Sequence, residues 1–180
     1  SPTRLYVKIF VALKKNPLET VILIRGDYGK KILRSIVPQI MNSTQISVHG
    51  IEQKTLNKIG LTKATVSTGG LTYDDYKEKY SQYAKCVFLY DPSDFAYQSS
   101  GRFLDAHFAG IPILVPAVTA MAEEFPECSQ IVRFDENDFD SVVDFICNPT
   151  PPVEHSCNVL SLEVRGALES AISDSQLIIN

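Results

Sequence analysis

The sequence predicts a single α/β domain built on a doubly wound, mainly parallel sheet of the Rossmann-like kind. Three observations support this. Short apolar, β-branched runs alternate with helix-period segments along the chain. Those runs, such as "TVILI" and "CVFLY", are continuously apolar, as strands buried on both faces of a sheet are. The length of 180 residues suits one hydrophobic core and is short for two.

Each element follows from its local pattern. Arg4 to Lys15 places Leu5, Ile9 and Leu13 at helical spacing, although its β-branched residues leave a strand open. Asn16-Pro17 ends it. "TVILI" (Thr20 to Ile24) is the first clear strand, followed by a "RGDYG" loop. Lys30 to Ile40 is a helix, with Ile32, Ile36 and Ile40 one turn apart. "ISVHG" (Ile46 to Gly50) is a strand, Glu52 to Ile59 a weaker helix, and "ATVSTGG" (Ala64 to Gly70) a short strand or turn. A helix from Thr72 to about Tyr83 has Thr72 as a capping residue and Asp75 at the positive end of its dipole. "CVFLY" (Cys86 to Tyr90) is the next strand, followed by the loop "DPSDFAYQSSG".

The segment from Ser100 to Ala109 is a helix, and "IPILVP" the strand after it. A short helix at Ala117 to Glu124, the strand "IVRF" (Ile131 to Phe134) and a helix at Asp138 to Ile146, capped near Asn137, complete the alternation. We therefore expect one Rossmann-like domain over 1–147. Residues 148–180 form a proline-rich connector and a helix near Leu160 to Ala171, packed on the same domain. In such sheets ligands bind beyond the carboxyl ends of the strands. Attention falls on the loops "RGDYG", "HGIE", "STGG", "DPSDFAYQSSG" and "PAVTAMAEE".

Composition excludes several classes. Hydrophobic content of 44% and charged content of 21% are ordinary for a soluble globular chain. A formal net charge of −4 argues against broad attraction to nucleic acid or an anionic membrane surface. No apolar run reaches the roughly 18 to 20 residues that span a bilayer, and no signal-peptide h-region opens the chain. The four cysteines, Cys86, Cys128, Cys147 and Cys157, match no zinc spacing. Cys86 and Cys147 lie in apolar runs and read as core thiols. A Cys147–Cys157 bridge is disfavoured in a chain that reads as cytoplasmic.

The chemistry concentrates in Tyr97 to Pro116, "YQSSGRFLDAHFAGIPILVP". Ser99, Ser100 and Gly101 stand where a helix starts after a strand-end loop. The first turn of a helix leaves amide N–H groups unpaired and carries positive partial charge. Gly101 removes the Cβ that would block close approach, and the serines add hydroxyl donors. These features make a phosphate cradle, with Arg102 in the same turn to meet a second negative charge. Asp105 lies one turn on, on the face of Gly101, where an acid can accept two hydroxyls. Serine is also a common helix cap, and Gly110 with Pro112 an ordinary helix stop. Spacing alone leaves both readings open.

The segment "SSGRFLDAHFAGIPILVP" resembles the donor-binding segment of GT-B glycosyltransferases, of the family 1 and family 4 type. That segment has a small-residue turn, a helix bearing an acid followed by alanine, then Ala-Gly-x-Pro and a strand. The preceding run "LTYDDYKEKYSQYAKCVFLYDP" resembles the family's helix and strand leading into it. The resemblance covers about Val21 to Ile146 and implies half of a GT-B fold, the C-terminal half that binds a nucleotide diphosphate sugar. It further implies that Ser99, Ser100, Gly101 and Arg102 hold the diphosphate and Asp105 the ribose. Arg25 and Gly26 would lie near the donor, and Ser67, Thr68 and Gly69 would flank the base. Independently of the resemblance, His49 ends a strand at the expected cleft edge and is a candidate ligand contact.

On the same resemblance no metal and no cofactor is required. The catalytic group is expected in an N-terminal acceptor domain or partner chain, and these residues alone bind nucleotide without turnover. The usual first strand of the C-terminal half and its basic loop are also expected to be missing. Glycan or polysaccharide biosynthesis is the implied setting. Peripheral membrane association would run through the part not included here.

Many retaining members carry an acid eight positions before the second one. That position is Tyr97, so the resemblance leaves retaining and inverting chemistry open. A UDP-sugar 2-epimerase-like domain shares the fold and is the second enzyme reading. A degenerate, non-catalytic interaction module is the third. His49, His107 and His155 form no metal or triad constellation by spacing, and His107 reads as a surface or boundary residue. Glu123 and Glu124 read as a solvated helix face. The tyrosines at 73, 76, 80 and 83 read as a core or interface stripe.

Overall fold

The computed structural model of the chain describes residues 19–42, 45–66, 78–79 and 82–149. The expected helices at Arg4 to Lys15 and Leu160 to Ala171 lie outside the described residues. So do most of Thr72 to Tyr83 and the expected packing of 148–180.

Strand β1 (Glu19–Arg25) runs directly into helix α1 (Gly26–Ile40), and β2 (Ile46–His49) is followed by α2 (Gln53–Lys58) and β3 (Thr65–Val66). Strand β4 (Tyr83–Tyr90) precedes a short helix α3 (Pro92–Phe95) and then α4 (Gly101–Phe108). Strand β5 (Ile113–Pro116), helix α5 (Ala120–Glu124), strand β6 (Ile131–Phe134) and helix α6 (Phe139–Cys147) follow. The strands form one sheet in the order β3-β2-β1-β4-β5-β6, and every adjacent pair is parallel. The doubly wound architecture read from the sequence is therefore present. Strand order reverses between β1 and β4, which makes their carboxyl ends the topological switch point.

The continuous apolar runs are explained by burial on both faces. Ile22, Ile24, Val87, Leu89 and Leu114 face one way, against Ile32, Leu33 and Ile36 of α1 and Val142 and Ile146 of α6. Val21, Leu23, Phe88, Ile113 and Val115 face the other way, against Phe103 and Ala106 of α4 and Met121 of α5. Each fully buried aliphatic or aromatic side chain contributes about 1.5–3 kcal/mol.

Two glycines fix how the chain leaves the strands. Gly29, in the first turn of α1, packs so closely that a Cβ would collide with the Leu89 carbonyl oxygen. Gly50 has φ +87°, and a Cβ there would collide with the Ile24 carbonyl oxygen. The exit from β2 is thereby held against the end of β1.

Three polar side chains tie helix carboxyl ends. Lys85 is 7% exposed, and its Nζ donates to the carbonyls of Phe145 (2.6 Å), Ile146 (3.1 Å) and Asn148 at the end of α6. Gln130 Nε2 donates to the carbonyls of Ala106 (3.3 Å), His107 (3.0 Å) and Ile111 (2.6 Å) after α4. Arg133 donates to Ala122 (2.7 Å from Nη2) and Phe125 (3.1 Å) after α5. Cations there also complement the negative end of the helix dipole.

Several sequence-based boundaries are corrected. "RGDYG" is not a loop: α1 starts at Gly26, whose φ of +75° turns the chain out of β1. Tyr83 opens β4 rather than closing a helix. The "DPSDFAYQSSG" loop contains α3, because Asp91 Oδ1 accepts from Ser93 N at 2.9 Å and Pro92 suits a first helical position. Helix α5 starts at Ala120, since Thr119 Oγ1 donates to the Pro116 carbonyl at 2.8 Å and sets a turn there. The cap of α6 is Asp138, whose carboxylate accepts from Ser141 N at 3.2 Å. Cys86 is buried and outside any disulfide, as expected, but Cys147 is exposed, in the last turn of the amphipathic helix α6. Cys128 is disulfide-bonded, which the sequence reading did not anticipate.

Candidate nucleotide site at the carboxyl edge of the sheet

Parallel strands and their following helices deliver several of the sequence-selected residues to one edge. Arg25 closes β1 and pairs in register with Tyr90, the last residue of β4. His49 closes β2, in register with Leu23. Ser99 and Ser100 precede α4, and Gly101 and Arg102 are its first two residues.

Direct contacts tie this edge together. Arg102 Nη1 donates to His49 Nδ1 at 2.9 Å. The Tyr90 hydroxyl lies close to the Ser100 side chain and within electrostatic reach of Arg102 and Arg25. Burial dominates and raises its pKa, against the lowering effect of Ser100 and the two arginines. The Arg25 guanidinium sits over the Phe95 ring, 5.2 Å from its centroid. Two guanidinium groups, a serine hydroxyl and a helix start thus converge beside the switch point.

The α4 N-terminus is open. Its cap residue, Ser100, makes no side-chain cap bond to the helix amides. A Cβ at Gly101 would meet nothing within 4 Å. Packing therefore does not require a glycine at this position. Gly26 likewise has free space where a Cβ would stand.

Other residues are placed differently. Asp105 lies one turn along α4 and is exposed. Tyr97 is fully exposed, and with Ser99, Ala120, Glu123 and Glu124 lines an open cleft of ≈ 340 Å³. Glu123 and Glu124 therefore border a concavity rather than only a solvated face. Ser99 Oγ is buried and has no hydrogen-bond partner among the described residues. Ser67, Thr68 and Gly69 lie outside the described residues.

Two histidines differ electrostatically from exposed ones. Burial, then the positive charges of Arg102 and Lys79, push His49 down to about 4. His107 is corrected from a boundary residue to a buried one, 7% exposed and stacked on Phe125 at a centroid distance of 3.9 Å. Burial lowers its pKa as well. Sequence reasoning missed Tyr90, and the signal was one aromatic hydroxyl closing an otherwise aliphatic strand. It also missed Tyr28, whose hydroxyl is pushed up to about 12 by burial and by Glu136 and Asp91. Among the described residues no group of three or more acids, histidines or cysteines could hold a metal ion. No described helix is long and apolar enough to cross a membrane.

No protein-family model matches the sequence, and no curated protein matches it. Among solved structures, the chain is similar to UDP-GlcNAc 2-epimerase from Methanocaldococcus jannaschii. That overlap has 13% identity and a TM-score of 0.48, over 90% of this chain and 49% of the other. The same epimerase in complex with UDP-GlcNAc and UDP overlaps with 13% identity and a TM-score of 0.49, over 90% and 48%. WaaG, a glycosyltransferase involved in lipopolysaccharide biosynthesis, overlaps with 19% identity and a TM-score of 0.49, over 79% and 40%. The chain spans about half the length of these solved chains, or less. At these scores the overlap carries no argument about reaction or ligand.

Proposed function

We propose that this chain is the nucleotide-sugar donor-binding domain of a glycosyltransferase, one half of a GT-B enzyme. The observation that supports it most is the convergence of Arg25, Arg102 and Ser100 with the uncapped start of α4 at the switch point. Unpaired amides at a helix start favour an anion by about 0.3–1 kcal/mol, and by up to about 2 in partly buried geometry. In this proposal the amides of α4, the hydroxyls of Ser99 and Ser100, and Arg102 hold the diphosphate. Asp105 accepts the ribose hydroxyls, and Arg25 and Gly26 border the donor.

Sugar transfer builds negative charge on the departing diphosphate. Fixed dipoles and a guanidinium aimed at that charge stabilise the transition state without reorganising. Such a leaving-group site does not need a metal ion. The acceptor and the catalytic base belong, in this reading, to an N-terminal domain or partner chain.

Calorimetric titration with UDP, GDP and their sugar conjugates tests the proposal. Binding that weakens in Asp105→Ala and Gly101→Val supports it. Absence of binding at millimolar nucleotide favours a degenerate interaction module instead. Conversion of a bound UDP-sugar at C2, without transfer, favours the epimerase-like alternative. Steady glycosyl transfer by these 180 residues alone contradicts the division of labour proposed here.

A further inference from the structure

The contact between His49 and Arg102 joins parts of the fold that do not touch through the sheet. His49 ends β2, Arg102 stands in the first turn of α4 after β4, and β1 lies between those strands. The 2.9 Å contact therefore spans the switch point. Arg102 can only donate, so Nδ1 must accept, and the ring is the neutral tautomer with its proton on Nε2.

The ring is held from behind. Gly50, the next residue, fits its φ of +87° only because it lacks a Cβ, and that turn lies against the Ile24 carbonyl. The rings of Tyr83 and His49 stand perpendicular, with their centroids 6.5 Å apart and an interplanar angle of 90°. Nε2 is buried with no hydrogen-bond partner among the described residues. An unpaired buried donor costs about 1–3 kcal/mol. An apolar residue of similar size would carry no such penalty and would leave Arg102 without this acceptor. The charged groups facing the ring, Arg102 and Lys79, are both cations, and with burial they keep it neutral.

The geometry points to His49 as a positioning residue that holds the Arg102 guanidinium at the switch point, oriented for an anionic ligand. This rests on the diphosphate reading of the α4 start. A free arginine side chain has several rotamers to lose on binding. Fixing one beforehand saves about 0.5–1.5 kcal/mol, or about 2- to 10-fold in affinity. His49 does not touch the ligand in this scheme and acts through Arg102.

The test is a double-mutant cycle read by titration of the folded chain with inorganic diphosphate at constant ionic strength. His49→Leu should weaken diphosphate binding about 2- to 10-fold in the wild-type background and leave it unchanged in Arg102→Leu. His49→Asn places an amide oxygen near the position of Nδ1 and should restore most of the affinity, which a merely structural role would not do. Additive losses, or tighter binding in His49→Leu, overturn the proposal. If the wild-type chain binds no diphosphate, the ligand reading itself fails, and the positioning role fails with it. Imidazole ¹⁵N shifts then still report the contact: the Nδ1 signal should be of the unprotonated type and should move in Arg102→Leu.

Discussion

Lys85 Nζ lies 2.6 Å from the carbonyl oxygen of Phe145, sixty residues later in the chain. One buried ammonium thereby fastens the start of β4 to the last turn of α6.

Removing it strands several carbonyls at once. Lys85→Met keeps the apolar stem and deletes the donors. Leaving buried acceptors unpaired should destabilise the chain by about 1–3 kcal/mol. Urea denaturation checks this, and an unchanged midpoint at unchanged slope would show that water serves α6 equally well.

Glycines at the sheet edge should separate into two kinds. Gly29→Ala and Gly50→Ala drive a Cβ into backbone carbonyl oxygens, and Gly50 adds an unfavourable φ. Each should cost about 1–3 kcal/mol or more. Gly101→Ala meets open space and should leave the melting temperature unchanged or slightly higher. Thermal melts of the three variants side by side decide this.

Binding and stability should part at α4. Gly101→Val fills the space before the helix amides, and Asp105→Ala removes an exposed acid. Both should fold like the wild type. Loss of one charged hydrogen-bond partner should cost about 1.5–3 kcal/mol, roughly 10- to 100-fold in nucleotide affinity. Equal losses of stability and affinity would mean that the two positions are structural.

Acid should weaken the fold through its histidines. The folded pKa of His49 is about 4, below the ordinary value of 6.5. As pH falls, the unfolded chain takes up this proton first. The contribution of His49 is fully present above about 6.5, declines below that, and is gone once pH passes below about 4. His107 acts in the same direction. Glu19, whose carboxyl is raised mainly by burial, acts oppositely. Melting temperatures between pH 7 and 4.5 should fall, and His49→Asn should flatten part of that slope. An identical slope in the variant would remove His49 from the account.

The sheet was legible because burial on both faces writes itself as unbroken apolar runs. "TVILI", "CVFLY" and "IVRF" became β1, β4 and β6 within a few residues. Helix α4 was legible from Ser100 and Gly110, which bracket it as cap and stop. The start of α1 was not legible, because Gly26 and Gly29 look like loop residues until β4 is placed beside them. The pairing of His49 with Arg102 was hidden for a similar reason. Fifty-three positions separate them, and only the parallel strand order brings them together. The role of Lys85 was not legible, since nothing in its sequence neighbourhood announces the end of α6.

The helices are fastened unequally at their two ends. Lys85, Gln130 and Arg133 secure the last turns of α6, α4 and α5. The starts of α1, α2, α4 and α5 have no side-chain cap bond. Local opening costs least where few bonds must break. Hydrogen exchange should therefore be slowest along the amino edge of the sheet and fastest around the mouth at its carboxyl edge. Any reshaping around a ligand would then fall on the mouth and leave the base folded.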